Sequence, residues 1–281
     1  MQTSHSHLNV LGFQPTIPTV RSIAQRQAHV DAMIAKLETA VSEHDSIDLV
    51  LLPELATIEY SREAFDQLDV LAETRKGDSF ERFAAFAKRA GCAVMYGFPR
   101  VEQNRTYISQ NVINANGKWV TGFDKLHMAH FGFSMEKDYF SAGERIAVFE
   151  LNGFRFGILI CYDFRFPELM CLYAQQHAVD VLLHPVAFSR DESFPSWHHF
   201  AIVRALENHT YFLSLNRAGS FWGSSIFCPP WVDSVIRPKI FPTEESLVFY
   251  RLDKAQLATS RQMYPFAQDK LPAYDQLHLT N

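Results

Sequence analysis

Hydrophobic and polar positions follow two rhythms along this chain. Short runs that are mostly apolar (residues 8–13, 49–52, 93–98, 154–160, 179–183 and 211–215) predict strands. Between several of them, apolar residues return every three or four positions, the period of a helix with one covered face. Ile23, Val30, Ile34, Leu37 and Val41 share such a face between residues 20 and 44. Phe80, Phe83, Ala84 and Ala87 line a second helix, which Gly91 is placed to end because glycine takes the left-handed conformation of a helix stop. Residues 168–177 and 197–208 predict two more helices, and Asp253 is placed to cap a last one running to about Met263.

The middle of the chain changes character. Asn116-Gly117, between residues 112–113 and 119–123, is a strong hairpin signal, and Asn152-Gly153 predicts a second hairpin between 147–151 and 154–160. A further strand is expected at 246–252. Apolar strands alternating with helices imply sheets covered on their faces, and the hairpins make those sheets mixed. This much strand fits two sheets packed together with helices outside.

Composition narrows the picture. With 281 residues, 47% of them hydrophobic, the chain can bury a sizeable core, and no linker-like stretch marks a boundary. A single domain over 1–281 is expected, with the stretch from about 264 as an extension. A net charge of −5 without a Lys/Arg cluster argues against a nucleic-acid partner. The cysteines (Cys92, Cys161, Cys171, Cys228) are scattered, with no CxxC pair, as in a reduced intracellular protein. The N-terminal stretch lacks the features of a signal peptide, and no apolar run approaches the length of a membrane span. A cytoplasmic protein with no membrane partner is expected.

The stretch 156–169, FGILICYDFRFPEL, organises the chemistry. An apolar run stops abruptly at Cys161, a proline-bearing turn follows, and Glu168 lies where a helix begins. Strand, sharp elbow and helix would hold a thiol at the C-terminal end of a strand, where open α/β sheets place their sites. The plain alternative is a small buried cysteine. Glu54 in LVLLPELATIEY and Lys125 in TGFDKLHM also follow apolar runs. Read singly, they are an ordinary loop carboxylate and an exposed lysine.

Taken in order, with EKDYFSAGE, HPVAF, RALEN and SLNRAG, these motifs resemble the nitrilase superfamily of carbon–nitrogen hydrolases over residues 8–261. The resemblance implies a four-layer αββα sandwich, assembly as a homodimer or higher homo-oligomer, and a Glu54-Lys125-Cys161 triad with Glu136 as a second glutamate. Tyr162, directly after the nucleophile, would add its backbone N–H to the oxyanion site. CYDFRFPEL looks most like the Nit-type amidase and ω-amidase branch. Arg165 matches in position an arginine that binds substrate carboxylate in some relatives; the alternative is an arginine that ties the elbow to Glu168 or to the sheet. Tyr60, Phe188 and Trp197 are expected to line the substrate pocket, with Phe194 adding aromatic surface.

The implied activity is cysteine-dependent hydrolysis of a small linear amide through an acyl-thioester, with no cofactor and no metal. The pairs His5/His7, His127/His130 and His198/His199 lack familiar ligand spacing. His127 instead reads as support for the Lys125 loop. His184, at the end of the run 179–183, offers an alternative base for Cys161. A nitrilase and a catalytically silent scaffold are the competing functions.

Overall fold

In the computed structural model, which describes residues 6–271 and 273–280, the strands segregate into two six-stranded mixed sheets. The chain runs through β1 (His7–Gln14), α1 (Ile23–Ser42), β2 (Leu49–Leu51), α2 (Arg62–Phe65), α3 (Leu68–Leu71), α4 (Asp78–Ala90), β3 (Ala93–Glu102), β4 (Arg105–Ile113) and β5 (Trp119–Asp124). It continues through β6 (Val148–Leu151), β7 (Phe154–Ile158), α5 (Pro167–Cys171), β8 (Val181–Pro185), α6 (Phe194–Asn208), β9 (Tyr211–Leu215), β10 (Ile226–Cys228), β11 (Lys239–Ile240), β12 (Ser246–Asp253), α7 (Lys254–Met263) and α8 (Phe266–Asp269). The first sheet has the order β12-β1-β2-β3-β4-β5 and the second β11-β10-β9-β8-β7-β6. In each, three central strands are parallel and the flanking strands antiparallel.

Strand alternation explains the layers. Leu49 and Leu51 point inward to the space between the sheets, whereas Val50 points outward beneath α1 and α4. Across the sandwich, Val181, Leu183, Tyr211 and Leu213 point inward, and Leu182 and Phe212 meet α5 and α6 outside. A strand buried on both faces has no polar side to show, which is why its sequence reads as a continuous apolar run. The result is the expected αββα sandwich. Its helices begin and end on local signals: Ser22 accepts from Gln25 N (3.2 Å) to open α1, Gly91 ends α4 at φ 68°, and Asp253 accepts from Ala255 N (2.7 Å) to open α7.

Some boundaries differ from the pattern-based expectation. The strand expected at 179–183 runs Val181–Pro185. It starts later because Asp180 faces Lys254 and Arg261, and it continues through His184 because that ring is fully hydrogen-bonded. The strand expected to reach residue 160 stops at Ile158, where the chain begins its elbow. Strands β3 and β4 form a long hairpin whose tip places Gln103 and Asn104 at φ 48° and 61°, a turn with no glycine to announce it. Helices α2 and α3 are too short to show a period. His5 lies outside the described residues.

One close approach ties the fold to the site. A Cβ on Gly97 in β3 would lie 2.4 Å from Pro53 O and 2.6 Å from Leu55 N, on either side of Glu54. Backbone atoms cannot step aside cheaply. Gly97→Ala is therefore expected to cost about 1–3 kcal/mol in urea unfolding, as overpacking does. An unchanged midpoint would show that the turn carrying Glu54 yields.

Candidate active site

Three strand ends deliver the charged centre. Glu54 lies three residues beyond β2, Cys161 three residues beyond β7, and Lys125 directly follows β5. Two of the turns enter the left-handed region without glycine: Cys161 has φ 46°, and Leu55, next to Glu54, has φ 47°. Such residues cost roughly 1–3 kcal/mol each and persist only where their surroundings hold them.

The surroundings do hold them. Asp163, fully buried in the turn Cys161–Arg165, accepts from Ile160 N (3.0 Å) on one side of the thiol. It also accepts from His127 N (2.9 Å) and pairs with the His127 ring (2.8 Å), two residues beyond Lys125. One carboxylate thus fastens the cysteine elbow to the lysine loop. Buried Arg217 donates to Glu54 O (2.9 Å), holding the other turn. Arg217 and Asp163 lie within the quoted motifs SLNRAG and CYDFRFPEL, yet nothing local in either motif announces these contacts.

The charges are arranged around Lys125. Its Nζ donates to Glu54 Oε1 (2.9 Å) and Glu136 Oε1 (2.6 Å), and all three side chains are buried. The second oxygen of Glu54 accepts from Ala187 N (2.7 Å), and that of Glu136 from Ala129 N (2.8 Å). Tyr60 Oη also donates to Glu136 Oε1 (2.9 Å). Burial alone would push the ammonium down, but Glu136 and Glu54 outweigh it and hold Lys125 well above the ordinary lysine value. Burial pushes Glu136 upward, to about 7, against the pull of Lys125. Burial and then Glu54 push the Cys161 thiol well up, with Lys125 opposing. The resting sulfur is a thiol, so attack requires a base.

A cleft whose space, open solvent included, is about 460 Å³ opens onto this centre. Cys161, Glu136, Tyr60, Tyr162, Arg165 and Phe188 line it, whereas Glu54 and Lys125 are buried beneath. The Tyr162 N–H makes no hydrogen bond among the described residues and lies next to the thiol in sequence. Phe131 and Phe133 are part-exposed on the lining. The Arg165 guanidinium lies 4.5 Å from the Phe200 ring centre and 5.1 Å from that of Phe164, with no carboxylate within 4.0 Å among the described residues. Neither Glu168 nor the sheet holds it.

Trp197 requires a correction. It is fully buried and stacks behind Phe188 (5.0 Å between rings), so it backs the cleft without lining it. Phe194 also lies outside the lining. What Trp197 does is anchor a relay. Its Nε1 donates to Ser214 Oγ (2.9 Å), which meets His184 Nδ1 (2.8 Å), and His184 Nε2 meets the Cys161 carbonyl (2.8 Å). A carbonyl can only accept, so Nε2 carries the hydrogen and Nδ1 receives the serine proton. His184 therefore holds the cysteine backbone and is not the base of a Cys-His pair.

Burial lowers the His184 pKa from 6.5 to about 3. Below pH 6.5 the unfolded chain takes up a proton that the folded chain refuses, so this contribution to stability is lost as pH falls from 6.5 towards 3. Between pH 7 and 4.5 the loss should be about 2–3 kcal/mol. Urea unfolding of wild type and His184→Gln at both pH values tests it: the substitution should flatten the acid slope, and equal slopes would exclude His184 as its source.

Three other histidines singled out in the sequence are engaged otherwise. His198 meets Ser224 O and His199 meets Pro195 O, while His127 pairs with Asp163 and supports the Lys125 loop.

Two mixed sheets flanked by helices, with these side chains at their strand ends, form a nitrilase-like α/β sandwich. The crystal structure of Saccharomyces cerevisiae Nit3, a member of branch 10 of the nitrilase superfamily, matches with a TM-score of 0.81 over 97% of each chain, at 23% identity. The family model for carbon-nitrogen hydrolases matches residues 17–262, and the chain belongs to that family and is an enzyme of that class. It is 30% identical over 278 residues to a hydrolase encoded in the pqqF 5' region of Pseudomonas protegens, covering 96% of this chain and 94% of that one. It is 28% identical over 240 residues to the omega-amidase NIT2 of Bos taurus, covering 81% and 84%.

Proposed function

We propose that this enzyme hydrolyses small linear amides through an acyl-thioester on Cys161. The observation that carries the reading is a buried ammonium, Lys125, held between Glu54 and Glu136 beneath a cleft that reaches the thiol. The likeness to omega-amidases supports an amide rather than a nitrile as the bond attacked.

Glu54 takes the thiol proton as sulfur attacks the amide carbon. The negative charge that develops on oxygen is met by Lys125 and the Tyr162 N–H. The C–N bond then breaks, and Glu54 passes its proton to the leaving nitrogen, releasing ammonia or an amine. Water loses a proton to Glu54 and adds to the thioester. The C–S bond breaks, the sulfur takes the proton held by Glu54, and a carboxylic acid departs and ionises in water. Glu136 orients Lys125, and Tyr60 in turn holds Glu136. Arg165, with no acidic partner among the described residues, binds a carboxylate on the substrate, a group that a guanidinium holds bidentately. The whole chain acts as one catalytic domain, since the layer between the sheets draws on residues from Leu8 to Leu257.

The test is intact-mass spectrometry with parallel ammonia assay on a panel of small amides and nitriles. An acyl adduct that forms and decays with amide turnover is expected. Turnover confined to nitriles would assign the same cysteine to nitrile hydrolysis. Neither adduct nor ammonia would leave the catalytic reading without support.

A further inference from the structure

The cleft contains a second unmatched charge. Asp191 lines it together with Cys161 and Arg165. Its Oδ1 accepts from Ser193 N (2.8 Å) and Ser193 Oγ (2.7 Å), and its Oδ2 from Ser189 Oγ (3.0 Å). All three donors are neutral: no lysine, arginine or histidine nitrogen lies within 4.0 Å of the carboxylate among the described residues. A carboxylate oxygen accepts about two hydrogen bonds, so Oδ2 retains capacity for another donor.

Its position is constrained from the opposite wall. Gly132, at φ 57°, comes so close that a Cβ there would sit 3.0 Å from Asp191 Oδ2. The loop bearing Phe131 and Phe133 therefore closes against the loop bearing Asp191. Glycine is favoured on both counts, the backbone angle and the approach. The carboxylate is held at the junction of two loops on the lining, by contacts that satisfy most but not all of it.

Arg165 shows the reverse charge in the same lining. It packs on aromatic faces instead of pairing with Asp191, although both belong to one small cleft. An acid and a base that line one pocket without touching suit a ligand bearing both charges, each group replacing water at its opposite. A purely anionic ligand would instead bring its charge into the field of Asp191. An uncharged amide would leave both side chains unpaired as the cleft dried.

We propose that Asp191 is a subsite for a substrate ammonium, and that the preferred substrate is a zwitterion: a short amino acid whose side chain ends in the amide. The assignment rests on the amidase reading of this cleft. Arg165 takes the α-carboxylate, Asp191 the α-ammonium, and the side-chain amide extends towards Cys161. Hydrolysis at that amide releases ammonia and leaves an acidic amino acid, so the reaction that consumes its product would be one acting on amino dicarboxylates.

The experiment compares matched pairs with the full chain. Glutamine and asparagine carry both charges; the monoamides of glutaric and succinic acids lack only the ammonium. Wild type should favour the better zwitterion over its matched monoamide by at least about tenfold in kcat/KM, and Asp191→Asn should lower that ratio by at least about tenfold. Asparagine keeps an acceptor for Ser193, and a thermal melt confirms that the variant folds. A preference for the monoamides, or a ratio that Asp191→Asn does not move, overturns the subsite while leaving amide hydrolysis intact. If wild type turns over none of the four, the panel of amides decides the amidase reading, and calorimetric binding to Cys161→Ala decides the subsite. Tighter binding of the zwitterion that is lost in Cys161→Ala/Asp191→Asn upholds it, and equal or absent binding overturns it.

Discussion

Cys161→Ala is expected to lower kcat by at least about 10⁴-fold and to abolish the acyl adduct, because no other thiol lines the cleft. The scale follows from the division of labour in the centre. A thiol pushed well above its ordinary pKa is not a spontaneous nucleophile, so in the proposed mechanism sulfur and Glu54 act as a unit. Residues that act as a unit are grossly non-additive when removed. Glu54→Gln should therefore cost almost as much as Cys161→Ala, and the double variant little more than either. Steady-state assays with ammonia detection would show this. Independent, multiplying losses would mean that Glu54 does not serve Cys161. A Cys161→Ala variant retaining a tenth of wild-type turnover would remove the thioester from the mechanism. Stability should change little on truncating the thiol, so the loss can be read as chemistry.

The parts of this centre that were legible in the sequence share a physical cause. An apolar run that stops at Cys161, and others followed by Glu54 and Lys125, mark strand ends because a strand buried on both faces tolerates no polar residue. Gly91 and Asp253 announced helix ends through backbone conformation and capping, which are local properties. Glu136 has no such signal. It sits in a short irregular turn, and only likeness to a family pointed to it. Trp197 was misplaced because an aromatic residue at the start of a helix suits a pocket wall or a core equally well. Burial against Phe188 and Ser214 decided for the core, and that choice is made by residues distant in sequence. The same holds for Arg217 on the Glu54 carbonyl, Ala187 on the Glu54 carboxylate and His184 on the Cys161 carbonyl. Each joins segments more than twenty residues apart. Pattern reading finds where a chain ends its strands; the groups that clamp those ends together are set by topology.

The fate of the centre without its cation follows from the same geometry. Lys125→Met removes the only ammonium among the described residues that contacts both Glu54 and Glu136 and keeps a side chain of similar length. Breaking a buried ion pair from one side costs about 3–5 kcal/mol, since the remaining charge has lost its partner. Here two carboxylates would face the vacancy, so urea unfolding at neutral pH should show a loss of that order. Proton uptake can relieve it. Burial already raises Glu136, with Lys125 as the chief opposing influence, and without the lysine its carboxyl should stay protonated to higher pH. With the folded pKa raised further above the unfolded value, the folded variant binds the extra proton over a wider range. The stability deficit should therefore grow as pH rises above about 7, where wild-type Glu136 loses its proton and the variant keeps it, shrink as pH falls back towards about 7, and level off below. Activity should respond differently. In the proposed mechanism Lys125 faces the place where oxyanion charge develops, and losing one such donor costs about 10²–10³-fold in kcat. Lowering pH towards about 7 should restore stability but not turnover, because a protonated glutamic acid supplies no positive charge and Glu54 must be ionised to act as base. A variant whose kcat recovers along with its stability over that fall in pH would confine Lys125 to holding the two glutamates apart. Persistent loss of kcat in a folded protein would place its charge on the reacting oxygen.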